Sequence, residues 1–213
     1  MSEELVMGHA AIVPIAGAAP EKSKLAVSER GLAFTSFEDV FRFAKCVIDS
    51  GLAPRGFQTP QAVAVAMQFG AELGLPPMAS LQNVAVIQGR PTLWGDAVPG
   101  ICQHLLESYS DEQIGEAGKD SHGVRVTILR KGRAAPVIRS FTIEDAKRAG
   151  LWGKTGPWTQ YPDRMLLMRA RTFAYRDAFP DALRGLYTAE EAQDMPAKNV
   201  THSLDEFEKK EGA

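Results

Sequence analysis

The side chains of this sequence best suited to bind an anion are four arginines within residues 162–179. They are Arg164, Arg169, Arg171 and Arg176. Each guanidinium offers N–H donors in a planar fork that matches the oxygens of a phosphate group. The stretch from residue 125 to residue 176 has twelve Lys and Arg and three Asp and Glu, a charge of +9, which leaves −11 for the rest of the chain. This asymmetry predicts a polyanionic partner.

Helical periodicity arranges these arginines in a strip. Pro162 suits the first turn of a helix, and Pro180 would stop it. The residues that share the inward face are Leu166, Ala170, Phe173 and Ala174. The strip runs through Arg164, Met168, Arg171 and Tyr175, with Met165, Arg169 and Arg176 beside it. Cations that alternate with Met and Tyr supply charge for phosphates and flat surface for bases, which predicts single-strand binding, whereas a solvated arginine face is the plainer alternative.

Further basic residues lie in predicted turns. The tip of a predicted hairpin carries Arg130, Lys131 and Arg133. Lys154 lies between Trp152 and Trp158, either of which could stack on a base or anchor its loop to the core. Arg55 and Arg90 could add phosphate contacts. These residues extend the candidate anion-binding surface beyond one helix.

The sequence shows no motif for ATP binding, metal binding or catalysis. Gly153-Lys154-Thr155 suggests a phosphate loop, but that motif needs a glycine where the chain has Arg148. The four histidines are isolated, so no cluster has metal-ligand spacing. Acidic pairs such as Glu190-Glu191 are expected to be solvated. We therefore predict no catalytic residue, no metal site and no ATP, with any magnesium brought by the nucleic acid.

Length and composition favour one domain in a reducing compartment. The 213 residues are 45% hydrophobic, enough for one core of ordinary size. Cys46 and Cys102 lie in apolar segments, which favours buried thiols over a disulfide. The sequence starts without a signal peptide, and no apolar segment approaches the length of a membrane span. We expect a cytoplasmic protein.

The predicted fold class is α+β, with a small antiparallel sheet built from two β-hairpins and packed with several helices. Ser36 and Thr59 are good N-caps for two helices. One hairpin turns at Gly89-Arg90-Pro91 and precedes a helix from Asp96 or Pro99. The other spans residues 124–141, after a polar segment, 108–122, that we interpret as a loop. Thr142 then opens a short helix with a capping box.

Both ends of the chain are expected to be flexible. Residues 1–32 are rich in Ala, Gly and Pro without a sustained period, which predicts an N-terminal arm. Residues 33–195 form the predicted core domain. Residues 196–213 are interpreted as an acidic C-terminal tail.

Several motifs together resemble the RecT/Red beta family of phage single-strand annealing proteins. They are Gly156-Pro157-Trp158, the P-x-R-M-L of residues 162–166, the arginine-bearing helix and the G-x-Y-x-x-E-E-A of residues 185–192. Upstream, residues 66–101 are similar to the family's segment in which a helix ends at G-L-x-P before a hairpin and a helix. The resemblance covers about residues 36–194.

The resemblance implies a recombinase that anneals complementary DNA strands without ATP and has no bond-making or bond-breaking active site. It implies a ring or helical homo-oligomer that holds single-stranded DNA and the annealed duplex, beside a 5′→3′ exonuclease and a host single-strand binding protein. The resemblance carries DNA contact over to Arg164, Arg169, Arg171 and Lys154, and to Arg130, Lys131 and Arg133 as hairpin positions. The periodicity of the helix and the aromatic loop add Arg176, Tyr175 and Trp158 to the expected DNA contacts. Asp163 and Leu167 depart from the family pattern, which often has basic residues there.

Three other classes stay open at this point. A double-stranded DNA-binding regulator could place the arginine helix, 162–179, in a major groove. A nuclease would show strand cleavage that depends on a divalent metal. A protein adaptor would use the basic surface to bind an acidic partner.

Overall fold

The computed structural model describes residues 26–28 and 31–195, which form an α+β fold. The strands are β1 (Ala26–Ser28), β2 (Gly31–Ala33), β3 (Val84–Ile87), β4 (Arg90–Leu93), β5 (Leu106–Ile114), β6 (Gly123–Arg130) and β7 (Val137–Thr142). The helices are α1 (Phe37–Asp49), α2 (Pro60–Glu72), α3 (Pro77–Asn83), α4 (Ala97–Cys102), α5 (Ile143–Arg148), α6 (Pro157–Gln160), α7 (Pro162–Ala178), α8 (Pro180–Leu183) and α9 (Ala189–Asp194). The predicted fold class is confirmed.

Helix α7 packs on one face of a three-stranded antiparallel sheet with the order β5–β6–β7. The central strand, β6, alternates as predicted, and its buried side chains are Val124, Val126 and Ile128. The predicted inward face of α7 is confirmed at Leu166, Ala170 and Ala174, which are fully buried. Two of these three are alanines, and small side chains let the helix approach the sheet closely. Burial of each large aliphatic side chain contributes about 1.5–3 kcal/mol to folding.

The interpretation of residues 108–122 as a loop was wrong for strand β5. Tyr109 pairs with Ile128, Asp111 with Val126 and Gln113 with Val124, so β5 forms an edge of the sheet. Its sequence, LESYSDEQI, gave no hydrophobic alternation because most of its side chains are exposed. Hydrogen-bonded pairing with β6 determines the position of this strand, and the pattern of a polar sequence does not predict that pairing.

The smaller hairpin, β3–β4, is confirmed, but its turn is Gln88-Gly89 and not the predicted Gly89-Arg90-Pro91, because Arg90 and Pro91 pair within β4. Its two turn residues, Gln88 and Gly89, both have positive φ values, 52° and 73°. This is the geometry of the type I′ turn that suits the twist of two-residue hairpins. Leu93 at the end of β4 forms an isolated parallel bridge with Thr188, which ties the hairpin to the segment before α9.

The predicted helix boundaries are confirmed by their caps. Ser36 accepts a hydrogen bond from the backbone N–H of Asp39, and Thr59 accepts one from that of Ala62. Thr142 and Asp145 form the predicted capping box of α5. Helix α7 has Pro162 in its first turn and ends before Pro180. Local side-chain chemistry thus sets the ends of the helices that frame the sheet.

The predicted terminal arms lie largely outside the described residues. Within the N-terminal arm, 1–32, the structure describes strand β1 and the start of β2, which pair from Ala26 and Ala33 inward. The C-terminal tail, 196–213, lies outside the described residues. Where the chain is described, no helix is both long and apolar enough to cross a membrane.

Candidate nucleic-acid interface

Helix α7 is buried on several sides, so it does not present the predicted strip to solvent. Met168 and Tyr175, the two apolar members of the strip, are 5% and 1% exposed. The prediction that they form a stacking surface was wrong in geometry. One side of α7 packs on the sheet and another faces helix α9, so a single exposed face, as periodicity alone assumed, does not exist.

The two aromatic residues predicted to contact DNA are part of the core. Tyr175 lies between the rings of Tyr109 and Phe179, with ring centroids 6.1 and 5.6 Å away. Burial raises the pKa of Tyr175 to about 12. Trp158 is also buried, and its indole Nε1 donates to the Oδ2 of Asp194 at 3.2 Å. Both rings therefore stabilise the position of α7 instead of lying at a surface.

Arg169 and Arg176 extend from α7 toward the acidic side chains of α9. Arg169 is 8% exposed and pairs with Asp194, and its Nη1 lies 3.8 Å from Oε1 of Glu191. Arg176 pairs with Glu191 and places its guanidinium 5.0 Å from the ring centroid of Tyr187. Glu191 also caps its own helix by accepting from the backbone N–H of Thr188. The arginines thus attach α9 to α7 across an interface in which Arg169 and Glu191 are buried.

Asp194 collects three predicted DNA-binding side chains at once. Its Oδ1 lies 3.1 Å from the Nζ of Lys154, and its Oδ2 accepts from Trp158 and Arg169. The residue is only 13% exposed, so it would be costly to leave its charge without these partners. Lys154 itself is 45% exposed, and its ammonium lies at the edge of this cluster.

Arg164 and Arg171 share a different and more accessible carboxylate. The Nη2 of Arg164 donates to Oδ2 of Asp96 at 2.8 Å, and the Nη1 of Arg171 lies 3.5 Å from Oδ1. Asp96 and Arg164 are 63% and 58% exposed, whereas Arg171 is 19% exposed. Exposed pairs of this kind are weak because water and salt screen them. A phosphate can therefore replace Asp96 at modest cost.

The predicted hairpin tip contains one anchored arginine and two accessible cations. Arg130 makes two hydrogen bonds to the carboxylate of Asp181, at 2.5 and 2.8 Å, and donates to the carbonyl of Ala178. Its guanidinium holds the pKa of Asp181 well below the usual range. Lys131 and Arg133 are exposed on the loop between β6 and β7, and no carboxylate of the described residues lies within ion-pair distance of either. Lys131 donates to the carbonyl of His104 at 3.1 Å.

The charge asymmetry of the sequence is largely cancelled by the fold. Ten of the twelve basic residues between Arg125 and Arg176 have a carboxylate within 4.0 Å. Within the described part of the chain the two exceptions are Lys131 and Arg133. The acidic residues that carry −11 outside this stretch supply most of the partners. Most basic side chains of this stretch are therefore ion-paired, and accessible cations remain in a few places on the described surface.

Sequence reasoning missed the acidic partners. Asp96, Glu191 and Asp194 were not predicted to touch the arginines, and Glu191 was expected to be solvated, although it is 3% exposed. A signal existed in the capping box Thr188-x-x-Glu191, which places Glu191 at the start of a helix. Asp163, which departs from the family pattern, lies 3.1 Å from His122 Nε2.

The described residues offer no cluster for a metal. Among residues 26–28 and 31–195 no group of three or more His, Cys, Asp and Glu is arranged to hold a metal ion. The acidic side chains nearest the arginines form ion pairs with them, as Glu191 does with Arg176. The chemistry that this arrangement supports is the binding of anions by arginine and lysine.

One comparison with known protein families matches the C-terminal half of the described residues. The model of the RecT family matches residues 104–202, from the turn before β5 through the arginine helix and α9. Searches of curated proteins and of solved structures gave no significant match. The matched segment contains the sheet, α7 and the motif of residues 185–192 from which the resemblance was drawn. This match over residues 104–202 supports membership in the RecT family, which implies single-strand annealing in phage DNA recombination.

Proposed function

We propose that this protein binds single-stranded DNA and anneals complementary strands without ATP. The observation that carries the proposal is the pair of accessible cations, Lys131 and Arg133, at the tip of the basic segment within the RecT-family match. Neither has a carboxylate partner among the described residues, so both can bind phosphates without breaking an ion pair. Recognition of the backbone alone suits annealing, because base pairing then supplies the sequence specificity.

Arg164 and Arg171 provide a second phosphate contact, which forms when their ion pairs with Asp96 break. A phosphate that approaches α7 competes with Asp96 for both guanidiniums. Because Asp96 and Arg164 are largely exposed, this exchange costs little free energy, and Asp96 returns to water. The ion pairs with Asp96 would lower the nonspecific affinity of Arg164 and Arg171 for anions while still permitting a polyanion to bind.

The buried basic residues serve the fold in this proposal. Arg169 and Arg176 hold α9 against α7. Arg130 holds the end of α7 through the carbonyl of Ala178 and holds α8 through Asp181. Lys154 contributes to DNA binding only through its exposed ammonium at the edge of the Asp194 cluster. Tyr175 and Trp158 position the helix and do not stack on bases. These roles revise the contacts that were expected from the sequence.

The wider activity follows the expectations for the family. We propose a ring or helical homo-oligomer, in which many weak phosphate contacts add up along one strand. A 5′→3′ exonuclease would supply the single strand in the bacterial cytoplasm, and a host single-strand binding protein would be displaced from it. We place no catalytic step and no resident cofactor in the protein, and any magnesium would enter with the DNA.

The decisive experiment is annealing of two complementary oligonucleotides, followed on a native gel without ATP, with and without magnesium. We expect annealing well above the protein-free rate in both conditions. Fluorescence anisotropy should show that binding of single strands weakens with salt, because neutralised phosphates release counterions. Absence of binding at low salt, or affinity that does not change with salt, would refute the proposal. Strand cleavage with a divalent metal would indicate a nuclease instead.

The packing of α7 argues against the double-stranded DNA regulator. A recognition helix must present one face to the major groove, whereas α7 is covered by the sheet and by α9. A strong preference for one duplex sequence over single strands would restore that alternative. If the purified protein does not bind DNA but binds an acidic protein, the protein adaptor would be favoured instead.

A further inference from the structure

A second group of arginines lies in a cleft between strand β4 and the turn that links α8 to α9. The cleft has a volume of about 250 Å³. Its walls are mainly apolar, from Phe69, Leu186 and Tyr187, and two arginines, Arg90 and Arg184, line it as well. The volume is below the ~300–1,000 Å³ of sites for drug-sized ligands, so it suits a group about the size of one nucleobase.

The two arginines of this cleft have no counterion in the described part of the chain. No carboxylate there lies within 4.0 Å of Arg90 or Arg184, in contrast to the arginines of α7. The carboxylate of Glu72 also lines the cleft, where it accepts from Gln68 Nε2 at 3.1 Å and forms no ion pair with either arginine. Two uncompensated guanidiniums beside an apolar wall would attract an anion that carries a flat apolar group.

The backbone of Arg184 and that of Gln88, two residues before Arg90, are in an unusual conformation. Within residues 26–28 and 31–195, the non-glycine residues with positive φ are Gln88 and Arg184, at 52° and 47°. Arg184 occupies the left-handed position after α8, where glycine is the common residue. Gln88 lies in the turn that precedes Arg90, and its Nε2 donates to the carbonyl of Met195 at 3.0 Å. Strained residues of this kind concentrate at binding sites.

We propose that this cleft binds one nucleotide of the single strand, with the phosphate on Arg90 and Arg184 and the base against Tyr187. The inference rests on the proposed function and adds a site that the basic segment does not contain. Arg176 already lies 5.0 Å from the ring centroid of Tyr187, so the ring is held in place before DNA binds. The ligand class is a nucleoside phosphate within a strand.

Arg184→Gly combined with Arg90→Gln tests the phosphate contacts. Glycine suits the left-handed backbone at position 184, so the variant should fold at least as well as the wild type. We expect the slope of log Kd against log salt for an oligo-dT strand to fall by about 0.7 for each phosphate that the variant no longer binds. Lys45→Gln, which removes an exposed cation from α1, is the control and should keep the wild-type slope.

A base analogue tests the stacking contact. The emission of 2-aminopurine within an oligonucleotide should be quenched by the wild-type protein and by Tyr187→Phe. Tyr187→Leu should lose the quenching and weaken binding by about fivefold or more. If the arginine double variant keeps the wild-type salt slope and Tyr187→Leu keeps the quenching, the cleft proposal fails while annealing stands. If the wild type binds no single strand, the proposed function fails first.

Discussion

Arg169 on helix α7 pairs with Asp194, 25 residues further along the chain, in an interface that excludes most of the solvent. Asp194 also accepts from Trp158 and contacts Lys154, while Glu191 contacts Arg169 and Arg176. The family motif at residues 185–192 therefore leads into a helix whose acids neutralise the arginine helix. In this chain the basic helix and the acidic motif are two halves of one structural unit.

Arg169→Ala should lower the free energy of unfolding by about 3–5 kcal/mol, because it leaves buried carboxylates without their partner. Urea denaturation at neutral pH measures this loss. Arg164→Ala is the matched control on the same helix, and it should cost less than about 1 kcal/mol because its pair with Asp96 is exposed. Equal stability of the two variants would contradict the buried role of Arg169.

Asp96→Asn should strengthen binding of single-stranded DNA, because it releases Arg164 and Arg171 for phosphates. We expect an affinity gain of roughly 1.5- to fivefold at low salt, corresponding to the ~0.2–1 kcal/mol of an exposed ion pair. Anisotropy titrations measure the effect. Glu107→Gln changes the net charge equally from strand β5 and should give a smaller gain. Matching gains would mean that only net charge matters.

Lys131→Gln combined with Arg133→Gln should weaken DNA binding without loss of stability. Both side chains are exposed, and each phosphate that is no longer bound should reduce the slope of log Kd against log salt by about 0.7. Arg148→Gln is the control, because Arg148 is an exposed arginine that already pairs with Glu144 and Asp145. A wild-type slope in the double variant, with unchanged annealing, would remove the hairpin tip from the DNA path.

Local features of the fold could be predicted from the sequence because each has a local cause. The caps at Ser36, Thr59 and Thr142 arise from side chains that bond to backbone a few residues away. The alternation in β6 reports burial on one face of the sheet. Strand β5 could not be predicted, because its position depends on pairing with β6, not on its own hydrophobic pattern.

The candidate site was harder to predict because the number of basic residues in a segment does not show which of them are exposed and unpaired in the fold. Periodicity identified the inward face of α7 but could not show that α9 covers another face. Arg169 and Tyr175 were therefore expected at the surface, although both are buried. Ion pairs such as that between Arg164 and Asp96, 68 residues apart, are tertiary contacts that no local pattern encodes.

Gly70→Ala should destabilise the protein by about 1–3 kcal/mol. A Cβ at this position would lie 2.0 Å from Oγ and 2.4 Å from Cβ of Ser80, so helix α2 and helix α3 would have to separate. Gly100→Ala in α4 is the control, because a Cβ there meets no atom within 4 Å. Alanine in a helix should stabilise that variant by up to about 1 kcal/mol. Thermal denaturation of both variants would measure these opposite shifts, and a stable Gly70→Ala would contradict the close packing of α2 on α3.

The two thiols should differ sharply in reactivity. Burial raises the pKa of Cys102 to about 12, with a smaller contribution from Asp181, whereas Cys46 is exposed on α1. Because the thiolate is the reactive form, Cys102 should stay protonated and unlabelled from pH 7 to 9. A thiol-reactive dye should therefore label one cysteine in the native protein and two after denaturation. Cys46→Ser should abolish native labelling, and a dye that still reacts with this variant at pH 9 would show that the region around Cys102 opens to solvent.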